Sequence, residues 1–345
     1  MSALTVAHHT TTSFLLDFGT SIILAKMTHY DSLYEYQNGN YRVTIFEDGT
    51  KIRETEEKEF IPAFAENCDV KITDRCDGGC PFCYEGCTAL GKHAKLFDSY
   101  GRPVQEWLKH LHPGTELALN GNDLSHPDLL TLLTWLQAQH VIANLTVNQK
   151  HFMKYYETLK VWCDSRLIWG LGVSLADSGD SEFLDKLYEF PNAVLHTIAG
   201  VLRPADILKL TAHPKSSSKL KILILGYKEL GRGVSYLDNP YNHVQDYIQQ
   251  LQHELPKLVK SCRVVSFDNL ALKQLNVKET LFRGRVEDWE TFYMGDDGTM
   301  TYYIDAVKEE YAKNSCMPQK ERFPSVGLTV DQMFQDIRRR YEQSN

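Results

Sequence analysis

A chain of 345 residues with 43% hydrophobic and 24% charged residues is long enough to bury one large core, with or without a small appendage. Its net charge of −8 argues against a broad nucleic-acid-binding surface, although it does not exclude a nucleotide substrate. The 8 cysteines form one cluster and scattered singletons, which excludes the dense framework of a small secreted domain. We therefore expect a cytoplasmic protein.

The most apolar stretch of the chain, residues 14–25, does not predict a membrane segment. It contains Asp17, is shorter than the roughly 20 residues that a spanning helix needs, and has no basic region before it. We expect no signal peptide, no transmembrane helix and no membrane partner.

Residues 1–66 predict a small antiparallel β appendage. Asn38 and Gly39 lie between two alternating runs, which is the strongest local signal for a β-hairpin, and Asp48-Gly49 offers a second turn. The charged segment 53–59 is typical of a solvated linker. The main domain is therefore expected over residues 67–270.

A cysteine-rich segment follows the short apolar run 70–73. It reads Cys76-Asp-Gly-Gly-Cys80-Pro-Phe-Cys83-Tyr84. Three thiolates with this spacing converge on one soft metal centre only if the chain wraps around it, and Gly78 and Gly79 adopt backbone angles closed to other residues. Tetrathiolate sites suit zinc or iron–sulfur clusters, whereas three thiolates leave one iron of a [4Fe–4S] cluster open to another ligand.

A structural zinc site is the alternative, because Cys87 supplies a fourth thiolate. Zinc sites more often use two separate C-x2-C pairs, and only Cys80 and Cys83 have that spacing. The corresponding function is that of a non-catalytic, zinc-binding protein.

From residue 69 the pattern changes to alternating strands and helices, which predicts an α/β fold. The predicted strands are 70–73, 116–120, 144–147, 168–175, 193–198 and 220–225, with 263–267 as a further candidate. Strand 220–225 is a nearly continuous apolar run, as buried parallel strands are. Such βα units form either a doubly wound sheet or a partly closed barrel, and their spacing does not decide between the two.

The C-x3-C-x2-C spacing just after a strand, with an aromatic residue before the third cysteine, resembles the radical S-adenosylmethionine (SAM) superfamily. The resemblance covers roughly residues 69–260 and implies a partial (β/α)6 barrel. It also implies a [4Fe–4S] cluster held by Cys76, Cys80 and Cys83, with SAM chelating the open iron. An external electron donor of the flavodoxin or ferredoxin type would reduce the cluster.

The resemblance further implies that SAM is held at the C-terminal ends of the strands, where barrel enzymes carry their functional residues. The residues in those places are Phe82, Gly121, Asn122, Asp123, Asn148, Ser174, Ile198 and Gly200. Residues 120–123 depart from the Gly-Gly-Glu stretch that usually holds the SAM ammonium group, so we expect Asp123 or Asn122 to bind it. Asn148 and Ser174 are equally well explained as helix caps.

Polar residues after the last two predicted strands are candidates for substrate binding. Lys228 and Arg232, in the glycine-rich turn 226–233, are placed to hold a carboxylate or phosphate, although surface cations in such turns are commoner. Asp268 and Asn269 follow the strand 263–267 and are candidates for lining the same cavity.

Residues 271–345 predict a C-terminal α+β extension. The run 293–304 predicts a hairpin around Asp297-Gly298, and Thr329 with Gln332 forms a capping box for a helix. The extension contains a single cysteine, Cys316, so we expect no auxiliary cluster.

The resemblance implies an enzyme that cleaves SAM to methionine and a 5′-deoxyadenosyl radical, which abstracts hydrogen from the substrate. Segments 223–233 (LILGYKELGRG) and 267–275 (FDNLALKQL) resemble uncharacterised, phage-type members, some of which act in viral DNA hypermodification. The most specific hypothesis is an isomerase of an amino-acid-modified thymidine. A peptide-modifying maturase is the alternative within the superfamily.

Overall fold

The computed structural model describes residues 4–9, 32–47, 50–120, 123–293, 295 and 297–342. Their strands are β1 (Leu4–His9), β2 (Ser32–Asn38), β3 (Tyr41–Phe46), β4 (Thr50–Thr55), β5 (Asn67–Lys71), β6 (Glu116–Leu119), β7 (Ile142–Asn148), β8 (Gly170–Ser174), β9 (Ala193–Ile198), β10 (Lys221–Leu225), β11 (Val264–Phe267), β12 (Thr301–Asp305), β13 (Glu310–Ala312) and β14 (Phe323–Pro324). Their α-helices are α1 (Leu129–Ala138), α2 (Gln149–Lys154), α3 (Tyr156–Asp164), α4 (Ser181–Leu187), α5 (Pro204–Lys209), α6 (Ser216–Lys219), α7 (Arg232–Asp238), α8 (Val244–Ser261), α9 (Asn269–Gln274), α10 (Val286–Phe292) and α11 (Val330–Glu342). Helices follow each strand from β6 to β11, which confirms the predicted α/β class.

One mixed, mostly parallel sheet organises the chain from β5 onward. Its order in the described residues is β11-β10-β9-β8-β7-β6-β5-β12-β13-β14, and the pairs from β11 to β12 are all parallel. From β5 to β11 each new strand is added on the same side, without the reversal of order that defines a doubly wound sheet. Because crossovers between parallel strands are right-handed, this order places the connecting helices on one face.

The two faces of the parallel sheet differ in chemistry. One row of registered residues is buried in the core against the helices: Val70, Leu119, Leu145 and Leu171. The adjacent row points the other way and is polar or small: Asp69, Ala118, Asn144 and Gly170. We call the side of this second row the inner face. Asp69 is exposed although β5 lies between β6 and β12, so water reaches the inner face at this residue.

The N-terminal strands form a separate antiparallel sheet in the order β1-β4-β3-β2, as predicted for this segment. The predicted hairpin is confirmed: Asn38 pairs with Tyr41 across a two-residue turn in which Gly39 has a φ of 58°. The second predicted turn, residues 48 and 49, lies outside the described residues.

Buried ion pairs join this sheet to the main one. Lys51 Nζ lies 2.7 Å from Glu116 Oε1 at the start of β6 and 3.1 Å from Glu66 Oε2. Arg53 pairs with the same Glu66 at 2.6 Å. Each of these charged groups has an oppositely charged partner within hydrogen-bonding distance. The attraction between them offsets the free energy lost when the groups are removed from water.

The C-terminal segment adds β12 to the free side of β5, where Tyr303 pairs with Asp69. The predicted hairpin over 293–304 is wrong, because β12 turns back only after Asp305 and pairs with β13. The capping box is confirmed by reciprocal hydrogen bonds between Thr329 and Gln332 at 2.9 and 3.3 Å. Neither α11 nor another helix in the described ranges is long and apolar enough to cross a membrane.

Candidate metal and substrate site

The cysteine loop, residues 73–93, leaves the C-terminal end of β5 and folds back on its own start. Asp74 N–H donates to the Lys92 carbonyl at 2.8 Å, and Cys76 N–H donates to the Thr88 carbonyl at 2.9 Å. A Cβ on Gly91 would lie 2.0 Å from the Asp74 carbonyl oxygen, so only glycine fits where the two ends of the loop meet. The loop is therefore a closed unit at the C-terminal edge of the parallel sheet.

The three thiols of the motif are half-buried within this loop. A Cβ on Gly78 would lie 3.3 Å from Cys76 Sγ and 3.8 Å from Cys80 Sγ, so the chain folds with both sulfur atoms beside the bare glycine. Burial raises the pKa of both thiols. This space beside Gly78 is a cradle that any larger residue would fill.

The third thiol, Cys83, has a lowered pKa, in contrast to Cys76 and Cys80. A hydrogen bond from the Cys87 thiol, with further help from backbone N–H groups and the positive charge of Arg232, lowers the pKa of Cys83 to about 6. Donating that bond raises the pKa of Cys87 far above its ordinary value. The thiolate, which is the form that binds metal, is therefore favoured at Cys83 in this hydrogen-bonded pair.

The donor set of the loop consists of thiols, which suit an iron–sulfur cluster. In the described part of the chain, no three cysteine, histidine or carboxylate groups converge at the distances that one metal ion requires. A [4Fe–4S] cluster distributes its protein thiolates over different irons, so its ligands do not need to meet at one point. Cys76, Cys80 and Cys83 would hold such a cluster, with the Cys87 thiol donating a hydrogen bond to Cys83.

Arg232, at the start of α7, holds the cysteine loop by its backbone. Its Nε donates to the Cys80 carbonyl and its Nη1 to the Cys87 carbonyl, both at 2.9 Å, and its N–H donates to the Cys83 carbonyl at 3.0 Å. The guanidinium is thus engaged by the loop, which corrects its expected role as a ligand of a substrate carboxylate or phosphate. Gly231 precedes it with a φ of 53°, and a Cβ there would lie 2.4 Å from the Tyr84 carbonyl.

Lys71 ties both ends of the motif to β12. Its Nζ lies 2.9 Å from Asp74, 3.2 Å from Glu85 and 2.6 Å from Asp305. Burial lowers the pKa of Lys71, but the carboxylates of Glu85 and Asp305 overcome this and raise the pKa above its ordinary value. Lys71 is therefore a buried, permanently charged anchor for the loop.

The C-terminal end of β7 contacts the loop from a third side. Asn148 caps α2, since its Oδ1 accepts the His151 N–H at 2.8 Å, and its Nδ2 would lie 3.2 Å from a Cβ on Gly78. His151 Nε2 lies 2.6 Å from Asp77 Oδ1, and this hydrogen bond lowers the pKa of Asp77. Asn148 is thus both a helix cap and a neighbour of the cysteine cradle.

The other predicted SAM-binding residues divide by their position. Phe82 packs edge-on against Tyr236 of α7, with ring centroids 5.6 Å apart. Ser174 pairs in register with Asn148 and lies beside it on the inner face, and Ile198 ends β9 opposite Leu225. These residues, with the cysteine loop, occupy the same edge of the sheet.

The remaining predicted SAM-binding positions are Gly200 and the turn at residues 121–123. A Cβ on Gly200 would lie 2.7 Å from Val244 Cγ1, so this residue faces α8, and its φ of 85° favours glycine. Gly121 and Asn122 lie outside the described residues. The backbone of Asp123 starts a 3-10 turn whose Ser125 hydroxyl donates to the Arg75 carbonyl at 3.0 Å, so this turn contacts the cysteine loop.

The sequence analysis did not identify two charged residues on the inner face of the sheet. Asp69 and Lys71 alternate with the core residues Val70 and Ile72 in a strand with neighbours on both sides. Charge at every second position of such a strand indicates a face that is not packed against the core, and this signal was present in the sequence.

Lys228 lies beside the cysteine loop, where it contacts the ring of Tyr84. Its Nζ is 4.0 Å from the centroid of the Tyr84 ring and donates to Ser315 Oγ at 3.2 Å. Although water reaches Asp69, desolvation by the protein around it raises its pKa to about 6, with Lys228 opposing and Asp297 adding to the shift. The side chains of β5, of the turn after β10 and of the C-terminal segment therefore share one electrostatic environment.

No protein-family model matches this sequence, and no curated protein is similar to it.

Proposed function

We propose that the protein is a radical SAM enzyme in which Cys76, Cys80 and Cys83 hold a [4Fe–4S] cluster. The observation that carries the proposal is the position of the cysteine loop: it follows the first of seven parallel strands added in one direction, beside the inner face on which Asp69 is exposed. When bound, the cluster and SAM would supply a 5′-deoxyadenosyl radical for hydrogen abstraction.

The sheet supports a partial (β/α)6 barrel as the framework. Strands β5 to β10 come in consecutive order, with a short 3-10 helix (Glu106–Lys109) after β5 and α-helices after the others, and β11 adds a seventh strand. A sheet with its helices on one face has to curve so that they cover it, which makes the other face concave. The inner face, with its small residues such as Ala118 and Gly170, is then the lumen of the barrel.

The chain's own residues hold and shield the site. Arg232, Lys71 and His151 fix the cysteine loop from three different strand ends. This anchoring matters because a ligand loop that moves by about 1 Å loses the geometry on which catalysis depends. Asn148 and Ser174, side by side on the inner face, offer polar groups to the SAM ribose.

The substrate proposed is an amino-acid-modified thymidine of viral DNA, which the enzyme would isomerise. Support comes from the sequence resemblance and from the charged residues near the cysteine loop, where Asp69 and Lys228 interact electrostatically. An isomerisation returns hydrogen to the product and needs no net oxidant, so the protein has only to orient the substrate and exclude water.

Anaerobic reconstitution tests the proposal. The purified chain, supplied with iron and sulfide, should become brown, hold about four irons and four sulfides, and form 5′-deoxyadenosine and methionine from SAM after reduction. As a control, Cys163→Ala should behave like the wild type, because Cys163 belongs to α3 and not to the loop. A colourless protein with one zinc and no SAM cleavage would overturn the proposal.

A further inference from the structure

We propose that His196 is a substrate-binding residue, and that its imidazole ring hydrogen-bonds the uncharged edge of a pyrimidine base on the inner face of the sheet. The inference rests on the proposed function for the identification of the ligand as a nucleoside. It goes further in naming the residue that recognises the base and the chemistry that this residue selects.

The ring of His196 is buried without a partner. His196 is on β9 and points to the inner face, since it pairs in register with Ser174 of β8. The residue is only 8% exposed, and among the described residues neither ring nitrogen has a hydrogen-bond partner. Burial of an unpaired polar group is unfavourable, and a partner from outside the chain would remove this cost.

Gly172 of β8 provides the space in which the ring lies. A Cβ at this position would be 2.4 Å from His196 Cε1 and 2.6 Å from His196 Nε2, so any side chain here would displace the ring. The same Cβ would be 2.8 Å from Oγ1 of Thr146 on β7. The imidazole edge and the Thr146 hydroxyl therefore meet over one bare stretch of backbone, close enough for a single ligand group to contact both.

The hydroxyl groups around the ring also lack protein partners. Within the described ranges, neither the Thr146 hydroxyl nor the Ser174 hydroxyl takes part in a hydrogen bond, and both residues are only partly buried. Hydroxyl groups both donate and accept, so each can bind a ligand of either kind. The site therefore consists of three neighbouring polar groups and not of one isolated histidine.

This part of the inner face suits an uncharged ligand. None of its nine positions on β7, β8 and β9 has a charged side chain: Asn144, Thr146, Asn148, Gly170, Gly172, Ser174, Val194, His196 and Ile198. Asn144 contacts Glu116, but the charge of Glu116 is balanced by Lys51. Burial lowers the pKa of His196 to about 4, so its ring is neutral at physiological pH. A charged ligand group would lose its hydration here without gaining a counter-charge.

The hydrogen-bonding groups of the site fit the edge of a uracil-type base. This edge has an N3–H donor between two carbonyl acceptors, and enzymes that act on a base recognise it by hydrogen bonds to this edge. A neutral imidazole has one donor and one acceptor. His196 can therefore accept from N3–H or donate to a carbonyl, and the hydroxyl groups can bind the groups beside it.

The row of residues that contains His196 leads to the cysteine loop. His196 pairs with Ser174, Ser174 pairs with Asn148, and Asn148 Nδ2 would lie 3.2 Å from a Cβ on Gly78. Because neighbouring strands are about 4.8 Å apart, His196 lies about 10 Å from Asn148 along this row. A base bound to His196 would therefore lie on the same face as the proposed SAM site and next to it.

Calorimetric titration of the full chain with thymidine and with N3-methylthymidine tests the inference, because these nucleosides differ only at the donor of this edge. Thymidine should bind at least about tenfold more tightly, since the methyl group removes the donor and leaves an acceptor of the site unpaired. His196→Leu fills about the same space without polar atoms, so it should bind thymidine at least about tenfold more weakly and lose the preference. His196→Gln keeps a donor and an acceptor and should lose less affinity than His196→Leu.

Two further variants and a stability measurement separate binding from packing. His253→Leu, at an exposed position of α8, is the matched control and should bind thymidine like the wild type. Gly172→Ala keeps the histidine but displaces its ring, so it should also weaken thymidine binding at least about tenfold. The melting temperature of His196→Leu should equal or exceed that of the wild type, because the substitution removes an unpaired buried polar group.

The inference is overturned by an absence of thymidine binding, by equal affinity for the two nucleosides, or by wild-type affinity in His196→Leu. A melting temperature of His196→Leu well below that of the wild type would also overturn it, because the ring would then serve packing. A failure of the proposed function shows separately, as missing iron or missing SAM cleavage in the wild type, and neither of these is measured by the titrations.

Discussion

Arg232 donates from Nε to the carbonyl oxygen of Cys80 at 2.9 Å, across 152 residues of sequence. The bond joins the first helical residue after β10 to the middle of the cysteine motif, and Nη1 of the same side chain reaches the Cys87 carbonyl. One planar guanidinium thus holds two points of the loop, and the ends of β5 and β10 are coupled through it.

The substitution Arg232→Lys should loosen the cysteine loop. A lysine ammonium cannot present two donors in the fixed fork that spans both carbonyls, so we expect a loss of about 1.5–3 kcal/mol in the free energy of unfolding and a lower iron content after reconstitution. Urea unfolding and iron analysis measure the two effects. Arg102→Lys, at an exposed pair with Asp98, is the matched control and should change neither.

Removal of individual thiols should separate ligands from neighbours. Cys76→Ala, Cys80→Ala and Cys83→Ala should each lose the cluster and SAM cleavage, because each removes the only protein ligand of one iron. Cys87→Ala should retain both, since this thiol donates a hydrogen bond to Cys83. Iron and sulfide analysis with visible spectroscopy distinguishes the cases. Loss of iron in Cys87→Ala would mean that four cysteines bind the metal.

Gly231→Ala should be far more damaging than Gly101→Ala. Both glycines have positive φ, 53° and 73°, so both substitutions carry backbone strain of about 1 kcal/mol. Only at Gly231 would the new Cβ also meet backbone, at 2.4 Å from the Tyr84 carbonyl, whereas Gly101 has open space. Thermal unfolding of the two variants should show the difference; similar melting temperatures would argue against the close approach of this turn to the cysteine loop.

Asp69→Asn should stabilise the protein at neutral pH. The pKa of Asp69 is raised to about 6 in the folded state, so from about pH 4 to pH 6 the unfolded carboxyl ionises first and the stability of the wild type falls as pH rises. The asparagine side chain does not ionise, so the stability of the variant does not fall in this pH range. It should therefore exceed the wild type above pH 6 and match it near pH 4. Since water reaches this carboxylate, we expect no more than about 1 kcal/mol.

Melting temperatures of the two proteins from about pH 4 to about pH 8 measure this difference. Asp288→Asn, at an exposed pair with Arg285, is the control and should show no such rise. A wild type that is more stable than Asp69→Asn at pH 8 would show that the carboxylate has a cationic partner in the folded chain.

Asp123→Ala should keep the cluster spectrum but bind SAM about tenfold to a hundredfold more weakly. The reason is the loss of one charge-assisted hydrogen bond to the SAM ammonium group, which contributes about 1.5–3 kcal/mol. Asn122→Ala should have a smaller effect, because a neutral amide is a poorer partner for an ammonium. Titration with SAM, followed by the electron paramagnetic resonance of the reduced cluster, measures both affinities. Unchanged affinity in Asp123→Ala would assign this role to another group.

Features that depend on neighbours in sequence were predictable. The α/β class, the hairpin at Asn38-Gly39, and the capping box at Thr329 and Gln332 follow from spacing and turn chemistry within a few residues. The grouping of the cysteines in one loop after a strand is local in the same sense. Their assignment to a cluster with SAM stays a prediction that the reconstitution experiment addresses.

Features that depend on distant residues were not predictable. The run 293–304 alternates like a hairpin, but the open edge of β5, more than 200 residues earlier, pairs with β12 instead. Arginine is a residue type that commonly binds anionic substrates, yet the partners of Arg232 are carbonyl groups of the cysteine loop. Every residue offers the same backbone carbonyl group, and every residue except proline offers the same backbone N–H group. The sequence therefore does not indicate which of these groups will pair.

By itself, the sequence determined which residues bear thiols, charges and turns, because these are properties of single residues and short spacings. Only the tertiary structure decided that Asp69 interacts electrostatically with Lys228, Asp268 and Asp297, which belong to distant parts of the chain. The physical reason is that electrostatic interaction depends on distance in space and on enclosure by protein. Desolvation by the surrounding protein raises the pKa of Asp69, and charged groups about 160 to 230 residues away in sequence modify that shift.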